Sequence, residues 1–564
     1  MARHGSRGLS SYKYDALLMK MAEAAERDGG FKSDAIKTEF MKNLSGITAA
    51  NVENGYGMLT GQGADQHYGI GERAYQRNQS LFDQAAVDGG TISYQSSGEA
   101  RATESGENFE KGFNAASGGK LTDSVVKPTE PADSGDGKDF QKNPDTLYFH
   151  KVQNPDGTEK TPGTKAYDSA NDYQNFVAND EIIAGAEETI GDNADIKRAS
   201  HDLLSQIFTD EFLAKLENGE YTWYNTADGT KKGAENCAPG ADASKDANAC
   251  GEGSKKIKSE YNAAMNLYNL YIIAADMQNE NTGDHAFDFN QYFQGEYAQD
   301  AKLFAWALDA EDFYEKGPSY AGQSETYSIA QPLLDDFFDA IDERVNGGST
   351  VATFRFAHAE TMMPFAALLG LPGSTQQAPA STTDVYTYDN NEWRGESVTP
   401  MATNVQWDVY AKQGEDPSTG SAYTPIVRML YNENEIAFRS ECTPIADGST
   451  WYKLTELKSC LAADHKTLGQ DARIVEQADV EPTPEPSGNP TTGTNTTTDT
   501  DTATDTDVAT DDAGKTDDAG KTTSATNGQS VSLGRTGSAI AVLAVLAVGL
   551  TLAGVSLSVW RMRR

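Results

Sequence analysis

The sequence predicts an α/β protein, a central sheet flanked by helices and interrupted by a long, mostly helical insertion. Three observations carry this prediction. β-Favouring runs occur near both ends of the body, at 91–94 and 351–357, and each leads into a helical pattern. Between them lie several stretches whose apolar residues recur at helical spacing. The 564-residue length leaves room for such an insertion and for two or three domains.

Taken in order, residues 14–27 read as an amphipathic helix with Leu17, Leu18, Met21, Ala22 and Ala25 on one face. The strand at 91–94 precedes a helix carrying Phe109 and Phe113. From 120 to 180 the chain is polar and reads as irregular. Helices are expected over 203–216, 259–277, 297–314 and 329–345, and a Gly/Ala/Lys/Asp-rich loop holding Cys237 and Cys250 separates the first two. The strand at 351–357 runs into an apolar helix over 361–369. Val405, Trp407 and Val409 alternate with polar neighbours, the period of a half-buried strand. The runs 426–431 and 436–438 flank Asn432-Glu433-Asn434-Glu435, which reads as a hairpin. The resulting division is an α/β core at 1–118 and 346–475, a helical cap at 119–345, a spacer at 476–530 and a terminal segment at 531–564.

The formal net charge of −39 excludes nucleic acid as a partner, because a phosphate backbone demands a basic footprint. Any site for an anion must be a locally basic pocket. The four cysteines lack C-x-x-C spacing, so neither zinc nor dithiol redox chemistry is indicated. Three pairings are open to them. The local one, Cys237 with Cys250 and Cys442 with Cys460, is expected because each bridge closes a polar, turn-rich segment, which suits an oxidising compartment. The alternative is four buried free thiols.

The C-terminal end reads as an address. From 481 to about 530 the chain is rich in Pro, Thr, Asp and Gly and reads as a solvated spacer. Then come Leu533-Gly534-Arg535-Thr536-Gly537, an apolar run over 539–560 and a basic end, Arg561-Met562-Arg563-Arg564. As a helix the run would span about 30 Å, enough to cross a bilayer with the arginines left in the cytoplasm. This set resembles a Gram-positive sortase signal, with Gly534 where the usual pattern has proline. It implies cleavage between Thr536 and Gly537, transient membrane insertion, and sortase and peptidoglycan as partners; a permanent tail anchor is the alternative. Both readings place the body outside the membrane. Such a protein needs an export signal, yet Ala2-Arg3-His4-Gly5 follows Met1 directly, so an upstream segment with a signal peptide and a first strand is expected.

Arg3-His4-Gly5-Ser6-Arg7 is the strongest chemical motif, with two guanidiniums flanking an imidazole just ahead of a helix. Downstream lie Lys13, Leu59-Thr60-Gly61-Gln62-Gly63, Gly71-Glu72-Arg73, Arg101 and His358-Ala359-Glu360-Thr361. Together these resemble the R-H-G-x-R signature and the later blocks of the histidine acid phosphatases, clade two of the histidine phosphatases. Ala102 stands where the family usually has threonine. The His-Ala-Glu, in place of the more common His-Asp, is similar to multiple inositol polyphosphate phosphatases. The resemblance spans about residues 3–475.

The resemblance implies a histidine-phosphatase-like sheet and a double displacement on phytate and lower inositol phosphates. His4 would attack phosphorus, Arg3, Arg7, Arg101 and His358 would hold the phosphoryl oxygens, and Glu360 would protonate the leaving alkoxide. Lys13 would bind further phosphates of the substrate. No metal or other cofactor is implied. The alternatives are a broad-specificity acid phosphatase for sugar phosphates or phosphoglycerates and a non-catalytic wall adhesin. Gly69-Ile70-Gly71-Glu72-Arg73-Ala74 fits a loose dinucleotide fingerprint, but no strand pattern precedes it. The Asp-rich tail lacks the spacing of a calcium loop.

Overall fold

Strands β1 (Ala2–Arg3), β2 (Thr91–Ser96), β3 (Phe140–Lys142) and β4 (Thr350–Ala357) form an all-parallel sheet in the order β1-β4-β2-β3. The computed structural model describes residues 1–126 and 140–461. Parallel neighbours require long crossovers, and helices supply them. Helices α1 (Tyr14–Asp28), α2 (Asp34–Asn54), α3 (Gly61–Arg77) and α4 (Gln79–Asp88) lie between β1 and β2. Helix α5 (Ala100–Ser117) follows β2, and the insertion separates β3 from β4. The sequence reading places the first strand upstream of Met1, but two of its residues are in the chain, with Ala2 opposite Phe356 and Arg3 opposite Ala357. The outer edge of β1 is covered, since Arg3 N–H donates to Thr403 O at 2.9 Å and Val405 N–H to Met1 O at 2.9 Å.

One face of the sheet carries an aromatic core of Tyr94, Phe109, Phe113, Phe140, Phe354 and Phe356. The rings of Phe109 and Phe354 lie 4.6 Å apart, and those of Tyr94 and Phe140 5.3 Å. Helices α3 and α5 cross this face with their backbones nearly touching. A Cβ on Gly71 would lie 2.0 Å from Phe109 O, and one on Gly112 2.0 Å from Tyr68 O. Both glycines of the 69–74 pattern therefore sit inside a helix, where Gly71 permits the close helix crossing; they form no phosphate-binding loop.

The insertion contains α6 (Lys165–Asn179), α7 (Glu181–Gly191), α8 (Ala194–Ser205), α9 (Asp210–Glu217), α10 (Glu260–Ala274), α11 (Ala298–Lys316) and α12 (Gln331–Val345). Helix α10 is buried on most of its surface, and its side chains share one apolar core with α1, α8 and α11. Three expectations are corrected here. Residues 120–180 are not irregular throughout, because Thr164 caps α6 by accepting from Tyr167 N–H. The helix read over 203–216 is two helices, because Thr209 starts a new one by accepting from Phe212 N–H. The hairpin turn is two residues, Asn432 and Glu433, with φ of 48° and 67°. Its second strand is therefore Asn434–Ile436 rather than 436–438.

Beyond β4, helix α13 (Ala359–Leu369) leads to an antiparallel sheet of β5 (Val405–Tyr410), β6 (Ile426–Tyr431), β7 (Asn434–Ile436) and β8 (Tyr452–Lys453). Both local disulfides are formed, Cys237–Cys250 and Cys442–Cys460. Among the described residues no helix is long and apolar enough to cross a membrane. The residues read as a sorting signal, Leu533, Thr536 and Gly537, the stretch read as a spacer and the apolar run 539–560 lie outside the described residues.

Candidate active site

Every parallel strand delivers site residues from its C-terminal end, where open α/β sheets place their ligands. β1 ends in Arg3 and His4, β2 in Ser97, Glu99 and Arg101, and β4 in His358 and Glu360, while the segment after β3 brings Tyr148 and His150. His4 N–H donates to Ala357 O at 2.8 Å, which continues the β1–β4 pairing into the loop. That loop docks on the start of α3. Gly5 is required there, since a Cβ would lie 2.6 Å from Gly63 O. Ser6 is fixed from several sides: its N–H donates to Gln66 Oε1 at 2.9 Å, its carbonyl accepts from Thr60 N–H at 3.0 Å, and its hydroxyl donates to Asp276 Oδ1 at 2.7 Å.

His4 is 3% exposed. Its Nδ1 lies 2.9 Å from Gly5 O. A carbonyl can only accept, so Nδ1 carries the proton and Nε2 keeps its lone pair. Burial, then the charges of Arg101, Arg3, His358 and Arg7, push the imidazole well below its ordinary range, so it is neutral near pH 7. The His358 ring lies 5.6 Å from that of His4, and its Nε2 is 2.8 Å from Ser97 Oγ. Among the described residues His358 Nδ1 is buried with no hydrogen-bond partner. Burial, then Arg101, also holds this imidazole well below its ordinary range.

The cations surround this pair. Arg3 donates to Thr399 O, Arg7 to Gly8 O at 2.7 Å, and Arg101 to Glu99 Oε2 at 2.5 Å. Burial lowers Arg3 and Arg7 to about 10, with Arg7 the next cause for Arg3 and Arg101 the next for Arg7, so both stay charged at neutral pH. Lys13 is buried, lies 4.7 Å from the Tyr14 ring centroid, and is lowered to about 8 by burial and then by Arg7. Arg3, Arg7 and Lys13 all feel the negative charge of Glu360.

Glu360 lies in the first turn of α13, two residues after the capping residue His358. Burial pushes its carboxyl up, but His150, His358, its own backbone N–H and Arg101 outweigh this and hold it well below the usual carboxylate range. Burial lowers His150 itself to about 3. Burial disfavours both imidazolium ions, while the backbone N–H of Glu360 and the Arg101 guanidinium favour its carboxylate whatever the imidazoles' state.

The structure thus brings His4, Arg3, Arg7, Arg101, His358, Glu360 and Lys13 into one cluster. Sequence reasoning misses His150, Tyr148, Ser97, Glu99 and Asp276. Tyr148 packs its ring 5.4 Å from His358 and 4.7 Å from His150, and donates to Glu99 Oε1 at 3.2 Å. No periodicity marks these residues, since Tyr148 and His150 lie in the polar stretch read as irregular. The one metal-like grouping among the described residues is Glu235, Cys237 and Cys250, whose cysteines are joined to each other and offer no thiolate.

Over residues 1–432 the chain matches the histidine phosphatase superfamily (branch 2). It is 87% identical to the Bifidobacterium longum multiple inositol polyphosphate phosphatase in its apo form, with a TM-score of 0.81 over 84% of this chain and 93% of that one. The complexes of that protein with phosphate and with inositol hexasulfate match with the same identity, TM-score and coverage. No curated protein sequence matches the chain.

Proposed function

The chain belongs to branch 2 of the histidine phosphatase superfamily, and from its site we infer that it removes phosphates from inositol polyphosphates such as phytate through a phosphohistidine. The observation that carries this reading is the neutral imidazole of His4, anchored at Nδ1 and surrounded by the charges of Arg3, Arg7 and Arg101. The likeness to a multiple inositol polyphosphate phosphatase supports the substrate class.

His4 Nε2 attacks phosphorus, the N–P bond forms, and the bond to the inositol oxygen breaks. Arg3, Arg7 and Arg101 stabilise the charge on the equatorial oxygens, and catalysis is mostly this positioning and charge stabilisation. If Ser97 Oγ–H donates to His358 Nε2, then His358 Nδ1–H is a fourth donor. Glu360 gives its proton to the departing alkoxide and later takes one from the water that cleaves the phosphohistidine. In the free enzyme Glu360 is ionised. A substrate bearing several phosphates brings negative charge beside it, which raises its proton affinity, so the catalytic proton enters with the substrate. Lys13 contacts a phosphate other than the one being removed.

For location, the proposal is secretion followed by attachment to the cell wall through Thr536, supported by the ordered pentapeptide, apolar run and terminal arginines.

The test is phosphoenzyme trapping. Quenching in alkaline denaturant during phytate turnover should leave base-stable, acid-labile phosphate on the wild type, and His4→Ala should abolish both turnover and label. Label on the mutant would place the nucleophile elsewhere.

A further inference from the structure

Directly behind the nucleophile loop lies a carboxylate with no part in the chemistry above. Asp276 follows α10 in the insertion and is 1% exposed. Its Oδ1 accepts from Ser6 Oγ at 2.7 Å. The Ser6 hydroxyl also receives Gln66 Nε2 at 3.0 Å and Gln62 Nε2 at 3.3 Å. A hydroxyl has one proton and two lone pairs. Two amides fill the lone pairs, so the single proton has to go to Asp276. The other carboxylate oxygen, Oδ2, is buried with no hydrogen-bond donor among the described residues. The charges that bear on Asp276 are the guanidiniums of Arg3 and Arg7.

We propose that Asp276 is a positioning residue that fixes the nucleophile loop through Ser6 and, as the fixed anion behind Arg3 and Arg7, sets how tightly the cradle grips an oxyanion. The proposal rests on the phosphatase reading. A buried anion beside the cradle opposes a phosphoryl group and eases the release of product phosphate. Protonating Asp276 removes that opposition. By linkage, an oxyanion in the cradle must raise the proton affinity of Asp276 by the same factor that protonation tightens the oxyanion.

Glu360 also gains proton affinity when an oxyanion fills the cradle, so the share of any pH slope that belongs to Asp276 is the part that Asp276→Asn removes. Burial raises Asp276 to about 6, against the Ser6 hydrogen bond and the two arginines. Arg3 also feels Glu360 from α13 and Asp312 from α11, and Arg7 feels Arg101, Glu360 and Tyr14. Glu360 is held well below its ordinary range, as are His4 and His358. Lys13 titrates higher, at about 8.

Sulfate is the suitable probe, because it remains a dianion across the window in which phosphate itself titrates. Its affinity for the full chain is measured by calorimetry from about pH 5 to about pH 7.5 for wild type, D276N and D276L. Wild-type affinity should weaken about tenfold as Asp276 ionises, while D276N should stay tight with a much flatter profile. Asn Oδ1 still accepts the Ser6 proton and Leu cannot, so D276N should keep at least about ten times the kcat/KM of D276L on p-nitrophenyl phosphate. Should D276L fail to fold, S6A replaces it: the pH slope for sulfate should survive while kcat falls. A D276N slope equal to that of wild type overturns the electrostatic role. Equal kcat/KM for D276N and for D276L or S6A overturns the positioning role. Sulfate binding needs no turnover, so a wild type inert on phytate would refute the phosphatase reading while these arms still judge Asp276.

Discussion

Replacing Glu360 by Gln removes a proton donor and keeps the shape, and the structure sets two separate scales for the loss. As a first-turn residue of α13, Glu360 interacts favourably with the helix N-terminus. That interaction is worth about 0.3–1 kcal/mol, so a purely structural role predicts a small fall in melting temperature and a modest loss shared by all substrates. As general acid it would contribute about 10²–10⁴-fold, or roughly 2.7–5.5 kcal/mol of barrier. The two ranges do not overlap. An inositol alkoxide departs only with a proton, whereas p-nitrophenolate leaves almost unaided. Single-turnover phosphoenzyme formation should therefore fall about 10²-fold or more on phytate, and far less in the burst from p-nitrophenyl phosphate. Equal losses on both substrates, with a lowered melting temperature, would refute the acid role.

Lys13 loses its proton as pH rises through about 8. KM for phytate should then rise above that pH, and Lys13→Met should raise KM at pH 6 and remove the step; an unchanged KM in the mutant would exclude the contact. Gly71→Ala places a methyl 2.0 Å from Phe109 O, where no flexible side chain can yield. It should cost about 1–3 kcal/mol or more by the overpacking scale, checked by denaturant titration, and an unchanged midpoint would show that α3 and α5 can separate freely. Mature protein should resist detergent extraction from cells and be freed by wall hydrolases with Thr536 at its C-terminus. Detergent release with residues 539–560 still attached would favour a tail anchor.

The strands at 91–94 and 351–357 and the helix at 14–27 were legible because their residues alternate or recur against a buried face. Residues 144–150 were not. Tyr148 and His150 reach the site because Lys160, buried and 3.0 Å from Tyr148 O, also donates to Pro144 O at 3.3 Å and so closes the intervening turn. That is a tertiary constraint with no period. Helix α3 was hidden by its glycines, which lower helix propensity and signal loops. Gly71 is needed because the backbone of α5 occupies the space a Cβ would take, and Gly63 because the Ser6 backbone does. The site residues were legible only through motif order, since nothing in local spacing connects Arg3 to Arg101 or His358. Asp276 was not legible at all, being a lone aspartate at a helix end whose role depends on a loop 270 positions away in sequence.

The same burial that makes the site costly also makes it work. A histidine nucleophile has to be neutral, yet a cradle for phosphate has to be positive, and an ordinary imidazole near pH 6.5 would be partly protonated where it is needed. Placing His4 out of water and among guanidiniums meets both needs at once, because each cation that attracts the phosphoryl oxygens also repels a proton from the imidazole. The arginines tolerate the same burial because even at about 10 they remain charged. Lysines in their places, like Lys13 at about 8, would approach neutrality under the same conditions. An acidic protein can therefore bind a polyanion without a basic surface, since the positive charge is concentrated at the strand ends, where low dielectric magnifies it. On the proposed mechanism Glu360 responds to the substrate, because incoming phosphates offset the positive charge that favours its carboxylate and so raise its proton affinity.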